Sequence, residues 1–212
     1  AGELEASRLL IRPAHFYAEH GVEARLGQRV QRIDRATQQV WLDDGSALAW
    51  DALLLATGAR PRPLKAPGAN LGGVHFLRSI ADVDRIRSEV GPGRRLVIVG
   101  GGYIGLEVAA SCRELGVEVT VLEMASRVMN RVTCAEISEF FETEHRRRGV
   151  HIVCDARVRE LLGDDSTGRV RAVACEDGSE YPADVVVVGV GVAPADELAV
   201  AAGIECANGF DV

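Results

Sequence analysis

An internal repeat constrains the architecture of this 212-residue chain more than any single motif does. Residues 40–61 (VWLDDGSALAWDALLLATGARP) align without a gap onto residues 173–194 (VACEDGSEYPADVVVVGVGVAP), at an offset of 133 and with seven of 22 positions identical. The identical pairs are Val40/Val173, Asp44/Asp177, Gly45/Gly178, Ser46/Ser179, Asp51/Asp184, Gly58/Gly191 and Pro61/Pro194. Each copy reads as a strand, an Asp-Gly hairpin turn, a short strand, and then an aspartate opening an apolar strand that ends at glycine. Upstream, GVEARLGQRV at 21–30 matches GVHIVCDARV at 149–158 at a slightly different offset. A repeated order of several elements predicts two related domains.

The second copy is complete. Residues 95–99 (RLVIV) form a short apolar run before a glycine cluster and read as a buried strand. A helix is predicted over 102–115, with Ile104, Val108, Cys112 and Leu115 on its apolar face, followed by a strand over 117–123. A second helix over 133–148 opens with a capping box, Thr133 and Glu136, and closes with Arg146–Arg148 and Gly149. Basic residues at a helix C-terminus complement its dipole, which accounts for the arginine run as capping and solvation. Strands near 150–153, 155–162, 169–176 and 184–189 complete an α/β unit with a β-meander.

The first copy has the meander and the apolar strand but no glycine-rich strand–turn–helix before them. Its counterpart of Gly100 falls upstream of Ala1, and the chain closes on Asn-Gly-Phe-Asp-Val. The expectation is a fragment: one complete Rossmann-like unit, a parallel sheet plus β-meander, flanked by parts of a homologous domain.

Composition narrows the function classes. With 47% apolar residues and no low-complexity tract, the chain is not disordered. No apolar stretch approaches the roughly 18–20 residues of a membrane helix, and no secretory signal opens the sequence. A net charge of −7 argues against non-specific nucleic-acid binding. The five cysteines, Cys112, Cys134, Cys154, Cys175 and Cys206, contain no Cys-x-x-Cys, so neither a zinc ribbon nor a thioredoxin-type dithiol is supported. They read as reduced, mostly buried thiols of a cytoplasmic protein, and no metal site is expected.

The chemistry sits at Gly100-Gly101-Gly102-Tyr103-Ile104-Gly105, a G-x-G-x-x-G with a strand before it, a helix after it, and Glu123 about 20 positions on. Gly100 permits the tight turn, Gly102 lets backbone approach a pyrophosphate, and Gly105 lets helix and strand pack closely. Amides at the helix N-terminus then face the phosphates. Glu123, ending the second strand, can accept from both ribose hydroxyls and would repel a 2′-phosphate, which favours NAD over NADP. Arg127, four residues on, would soften that exclusion. A short-chain dehydrogenase needs Tyr-x-x-x-Lys, yet the single lysine, Lys65, follows Pro61 at that spacing. His15, His20, His75, His145 and His151 are scattered and read as surface or helix-end residues. Without a proton-transfer group at the loop, no catalytic side chain is assigned, and a second cofactor is the fitting hydride acceptor.

Four segments together carry a resemblance: GGGYIGLE (100–107), LLLATGARPR (53–62), HFLRSIADVDRIR (75–87) and VVVVGVGVAPADELA (185–199). They resemble the flavin-dependent pyridine nucleotide–disulfide oxidoreductase superfamily, nearest its ferredoxin reductase branch, over essentially the whole chain. In that family an NAD domain is inserted into a homologous FAD domain. The resemblance therefore implies a partial FAD-binding domain at 1–78, an NAD-binding domain at 79–193 and a return into the FAD-binding domain at 194–212. It implies that Gly100, Gly102, Tyr103, Ile104, Gly105 and Glu123 line NADH, with Tyr103 over the flavin face, Glu107 near the carboxamide and Gly191 near the nicotinamide. On the flavin side it implies Ala56, Thr57, Gly58 and Arg78. The implied reaction passes hydride from NADH to FAD and then electrons to an iron–sulfur carrier, a ferredoxin or rubredoxin. The family's N-terminal FAD glycine loop, its later Gly-Asp segment and its C-terminal interface domain are not in this sequence, so the chain alone is expected to hold NAD but not FAD, and to be inactive by itself. Other readings stay open: the NADH-reading part of a nitrite reductase, NADH oxidase or peroxidase, or a non-catalytic NAD-sensing module of the apoptosis-inducing-factor type.

Overall fold

A computed structural model describes residues 6–210. After a 3-10 turn at Ala6–Leu9 come helix α1 (Ala14–Glu19), strands β1 (Val30–Asp34), β2 (Gln39–Leu42), β3 (Ala47–Ala49), β4 (Ala59–Pro61) and β5 (Val74–Phe76), and helix α2 (Ile80–Glu89). Next are β6 (Arg95–Val99), α3 (Tyr103–Glu114), β7 (Glu118–Leu122), α4 (Ala135–Arg147), β8 (His151–Val153) and β9 (Val158–Asp164). The chain continues through β10 (Arg169–Cys175), β11 (Glu180–Pro182), β12 (Val185–Val188), β13 (Val192–Pro194) and α5 (Glu197–Ala201). Two compact units result: Pro61–Val192, and the described part of Ala1–Arg60 with that of Ala193–Val212. Strand β5 pairs with β12, so residues 61–78 pack with the central unit, and the expected boundary at 78/79 falls inside it.

The central unit is built on a parallel five-stranded sheet in the order β5-β12-β6-β7-β8. Its strands are near-continuous apolar runs because both faces are covered. Alternation along β6 makes this visible: Leu96 and Ile98 join one core cluster with Leu106, Ala109 and Cys112 of α3, while Val97 and Val99 join another with Leu161, Val170 and Val173 of the meander β9-β10-β11. At the start of the sheet Arg95 clamps Asp184 through two guanidinium nitrogens, and Asp184 also accepts from the Arg95 backbone N–H. The guanidinium holds the Asp184 carboxyl below the usual carboxylate range.

The other unit has its own meander, β1-β2-β3, and the repeat is legible in its hydrogen bonds. Asp44 Oδ1 accepts from the Ser46 N–H and hydroxyl at 2.8 and 2.6 Å; Asp177 Oδ1 accepts from Ser179 in the same way at 2.9 and 2.6 Å. Gly45 and Gly178 take the same left-handed conformation, φ 83° and 87°, which the turn between the aspartate and the serine requires.

Three expectations need correction. Residues 52–56 do not form the apolar strand expected there; Leu54 is 89% exposed. An all-apolar strand needs neighbours on both edges and both faces, which β12 has in β5 and β6, and no described strand flanks 52–56. The buried face of α3 is Gly105, Leu106, Ala109 and Cys112; of the expected face, Cys112 is buried and Val108 packs against the core, while Ile104 and Leu115 are exposed. Small residues let α3 approach the sheet, so its packing face is less apolar than its rim. Finally, α4 is capped at Cys134 with no side-chain cap bond, and Thr133 turns instead toward Ser138 Oγ at 3.2 Å.

Among the described residues no cysteine is in a disulfide; Cys112 and Cys175 are buried, Cys154 and Cys206 half-buried, and Cys134 exposed. No described helix is long and apolar enough to cross a membrane, and no described cluster of three or more His, Cys, Asp or Glu could hold a metal ion.

Candidate nucleotide-binding site

The site begins where β6 ends. The Gly100 N–H donates to Leu122 O at 2.8 Å, so the turn leaves the sheet at the carboxyl end of its central strands. Gly100 has φ +112°, and a Cβ there would lie 2.4 Å from Gly189 O. A Cβ on Gly105 would lie 2.1 Å from Gly100 O and 3.3 Å from Ile98 Cγ2, so the first turn of α3 rests directly on the glycine turn and the strand beneath it. Gly102 is the opposite case: it caps α3, and its missing side chain faces open space, with no atom within 4 Å. The turn is therefore closed at Gly100 and Gly105 and open at Gly102, next to helix amides that have no intrahelical acceptor. That is the shape and polarity a pyrophosphate needs.

Glu123 is oriented by backbone. Its Oε2 accepts from the Gly101 N–H at 2.7 Å and its Oε1 from the Ala125 N–H at 2.8 Å. Each carboxylate oxygen keeps a further lone pair, so the group can brace the glycine turn and still accept from two ribose hydroxyls. The residues present fit a dinucleotide with unphosphorylated ribose.

Tyr103 (56% exposed) and Ile104 (41% exposed) stand on the first turn of α3, and Glu107 is exposed one turn further along the Tyr103 face. Arg127 is drawn into the scaffold instead. Its Nη1 donates to Ser138 Oγ at 2.6 Å, its Nη2 to Asn130 O at 3.1 Å, and the buried Ser138 hydroxyl donates to Val128 O at 2.7 Å. Sequence reasoning had no signal for Ser138, a polar residue inside a helix. Gly191 has φ +102°, and the position of its absent Cβ is 3.9 Å from both Arg131 Nη2 and Arg62 Cδ, two arginines no motif singled out.

Two histidines are less peripheral than expected. The His75 side chain is only 11% exposed and stands 3.4 Å from Glu89. His145 Nδ1 lies 2.9 Å from Phe141 O and its Nε2 3.1 Å from Leu106 O, joining α4 to the first turn of α3. Neither presents a free ring to the glycine turn. Burial, then the neighbouring Glu142 carboxylate, push the Cys154 thiol up to about 11, so it is not a thiolate at neutral pH.

With this geometry in view, residues 3–212 match the sequence profile of the pyridine nucleotide-disulphide oxidoreductases. The chain belongs to that family. It is 46% identical over 194 residues to the biphenyl dioxygenase system ferredoxin–NAD(+) reductase component of Paraburkholderia xenovorans, covering 92% of this chain and 47% of that protein. It is 42% identical over 213 residues to putidaredoxin reductase of Pseudomonas putida, covering 99% and 50%. The crystal structure of a covalent putidaredoxin reductase–putidaredoxin complex superposes with a TM-score of 0.92 at 42% identity, covering 98% of this chain and 51% of that one. The chain thus spans about half the length of the curated relatives it matches.

The flavin-side candidates divide between the units. Ala56, Thr57 and Gly58 lie in the outer unit, where Thr57 Oγ1 donates to Ala195 O at 2.5 Å and Gly58 O accepts from the Ala195 N–H at 2.9 Å. Arg78 lies in the central unit, its backbone N–H donating to Asp82 at 3.0 Å just before α2. No second strand–glycine turn–helix occurs among the described residues, so they do not by themselves form a cradle for FAD.

Proposed function

We propose that the chain is the NADH-reading portion of a flavoprotein reductase of the ferredoxin reductase kind, the central unit binding NADH and the outer unit belonging to the FAD-binding part. The observation that carries this reading is the Glu123 carboxylate, held by the Gly101 and Ala125 amides beside a glycine turn that is open at Gly102. NADH held here would be the hydride donor, its acceptor would belong to the FAD-binding part of the full-length protein, and the electron carrier served would be a [2Fe–2S] ferredoxin or a rubredoxin.

Each residue has a binding or orienting task. The Gly102 edge and the α3 N-terminal amides hold the pyrophosphate, Glu123 accepts from the adenosine ribose, and Tyr103, Ile104 and Glu107 line the path toward the nicotinamide. Gly191 leaves the nicotinamide half room between Arg62 and Arg131. No side chain here moves a proton, which suits hydride passing between two cofactors. Arg127 is assigned to holding the loop before α4 rather than to the ribose.

Rapid mixing of the flavin-loaded full-length protein with NADH and an artificial electron acceptor tests the reading. Turnover on the scale of ordinary enzymes, roughly 1–1,000 per second, is the expected result. NADH binding with turnover slower by orders of magnitude would instead support a nucleotide-sensing module.

A further inference from the structure

Helix α4 is covered by α3 and β8 on one side and bare on the other. Ser138 is fully buried and Phe141, Glu142 and His145 are half-buried, which places their side inward. The opposite ridge, at i, i+4, i+7 and i+11, is Glu136, Phe140, Thr143 and Arg147, all exposed. Phe140 is 60% exposed, its ring lying edge-on to Phe141 with centroids 5.7 Å apart. Phe140 is thus an exposed phenylalanine at the middle of a 13-residue helix, with exposed Ile137 one turn before it.

The ridge is complementary to itself. Turned about a two-fold axis midway between Phe140 and Thr143, it brings Glu136 opposite Arg147 and Phe140 opposite Thr143, each pair twice. On one flank, Glu139 of one helix then faces Arg146 of the other. We propose that α4 is a self-association surface whose occupant is the antiparallel α4 of a second copy of this chain. Such an interface is isologous, as a two-fold dimer requires. The arginines are available to it: the bonds of Arg146 to Glu142 and of Arg147 to Glu144 are exposed intrahelical pairs, of a kind that contributes little and exchanges readily. Two helices about 20 Å long bury less than a standard interface, so the dimer is weak and concentration-dependent.

Sedimentation equilibrium of the chain at low salt tests this. The average mass should rise toward that of a dimer with concentration, and added salt should lower it. Phe140→Ser should weaken association about tenfold or more. Glu136→Arg and Arg147→Glu should each weaken it about tenfold, and the double variant should return to within about threefold of the parent, because the swap restores opposite charges across the axis. A chain that stays monomeric at every concentration, association indifferent to Phe140→Ser, or a charge swap no better than the single reversals would overturn the proposal. A monomer would leave the ridge to a different protein.

Discussion

Gly105 shows how far one absent methyl group decides the site. Its missing Cβ is filled by Gly100 O at 2.1 Å, a backbone atom that cannot rotate away. Gly105→Ala must therefore lift α3 from the turn, and overpacking of this kind typically destabilises by about 1–3 kcal/mol. Urea denaturation should show that loss together with weakened NADH binding; unchanged values for both would mean that α3 does not depend on this contact. Glu123 is subtler, because the bonds that orient it are made by the same loop it would serve. The close packing at Gly105 and the place of Glu123 at a strand end were legible in the sequence, since glycine spacing and an acidic strand end have direct physical meanings. The bracing of Glu123 by Gly101 and Ala125 was not, because backbone amides carry no residue signature.

At the scale of elements, the ion pair that joins β6 to β12 gives a pH dependence. The Arg95 guanidinium lowers the Asp184 carboxyl below its ordinary value of 3.8, with desolvation opposing the shift. A folded value below the unfolded one means the pair's stabilisation is present in full above about pH 4 and drains away as pH falls through the lowered value. Arg95 is half open to solvent, so screening limits the contribution to about 1 kcal/mol or less. Asp184→Asn should accordingly be less stable than the parent chain at pH 7, with a gap that narrows as the pH is lowered below about 4, measured by urea midpoints. A gap that stays constant as the pH falls would contradict this role. The buried strand at 95–99 and the paired Asp-Gly turns were readable from pattern alone. The packing face of α3 was not, because Gly105 and Ala109 register as weakly apolar although they allow the closest approach. The apolar run at 52–56 misled for a related reason: a strand is a property of its neighbours as much as of its own residues.

For the whole molecule, the repeat and the candidate nucleotide site describe one design, a β-meander used twice, with the glycine turn beside the second copy among the described residues. The central unit has two buried clusters on either side of its sheet, and the site residues stand on the ends of that rigid layer. The proposed reading of NADH by this unit rests on Glu123. Calorimetric titration of the chain with NADH and NADPH, repeated with Glu123→Ala, isolates that residue. NADH should bind at least about tenfold more tightly than NADPH, and the substitution should weaken NADH binding and erase the preference. Equal or tighter binding of NADPH by the unaltered chain, or a preference that survives Glu123→Ala, would contradict it.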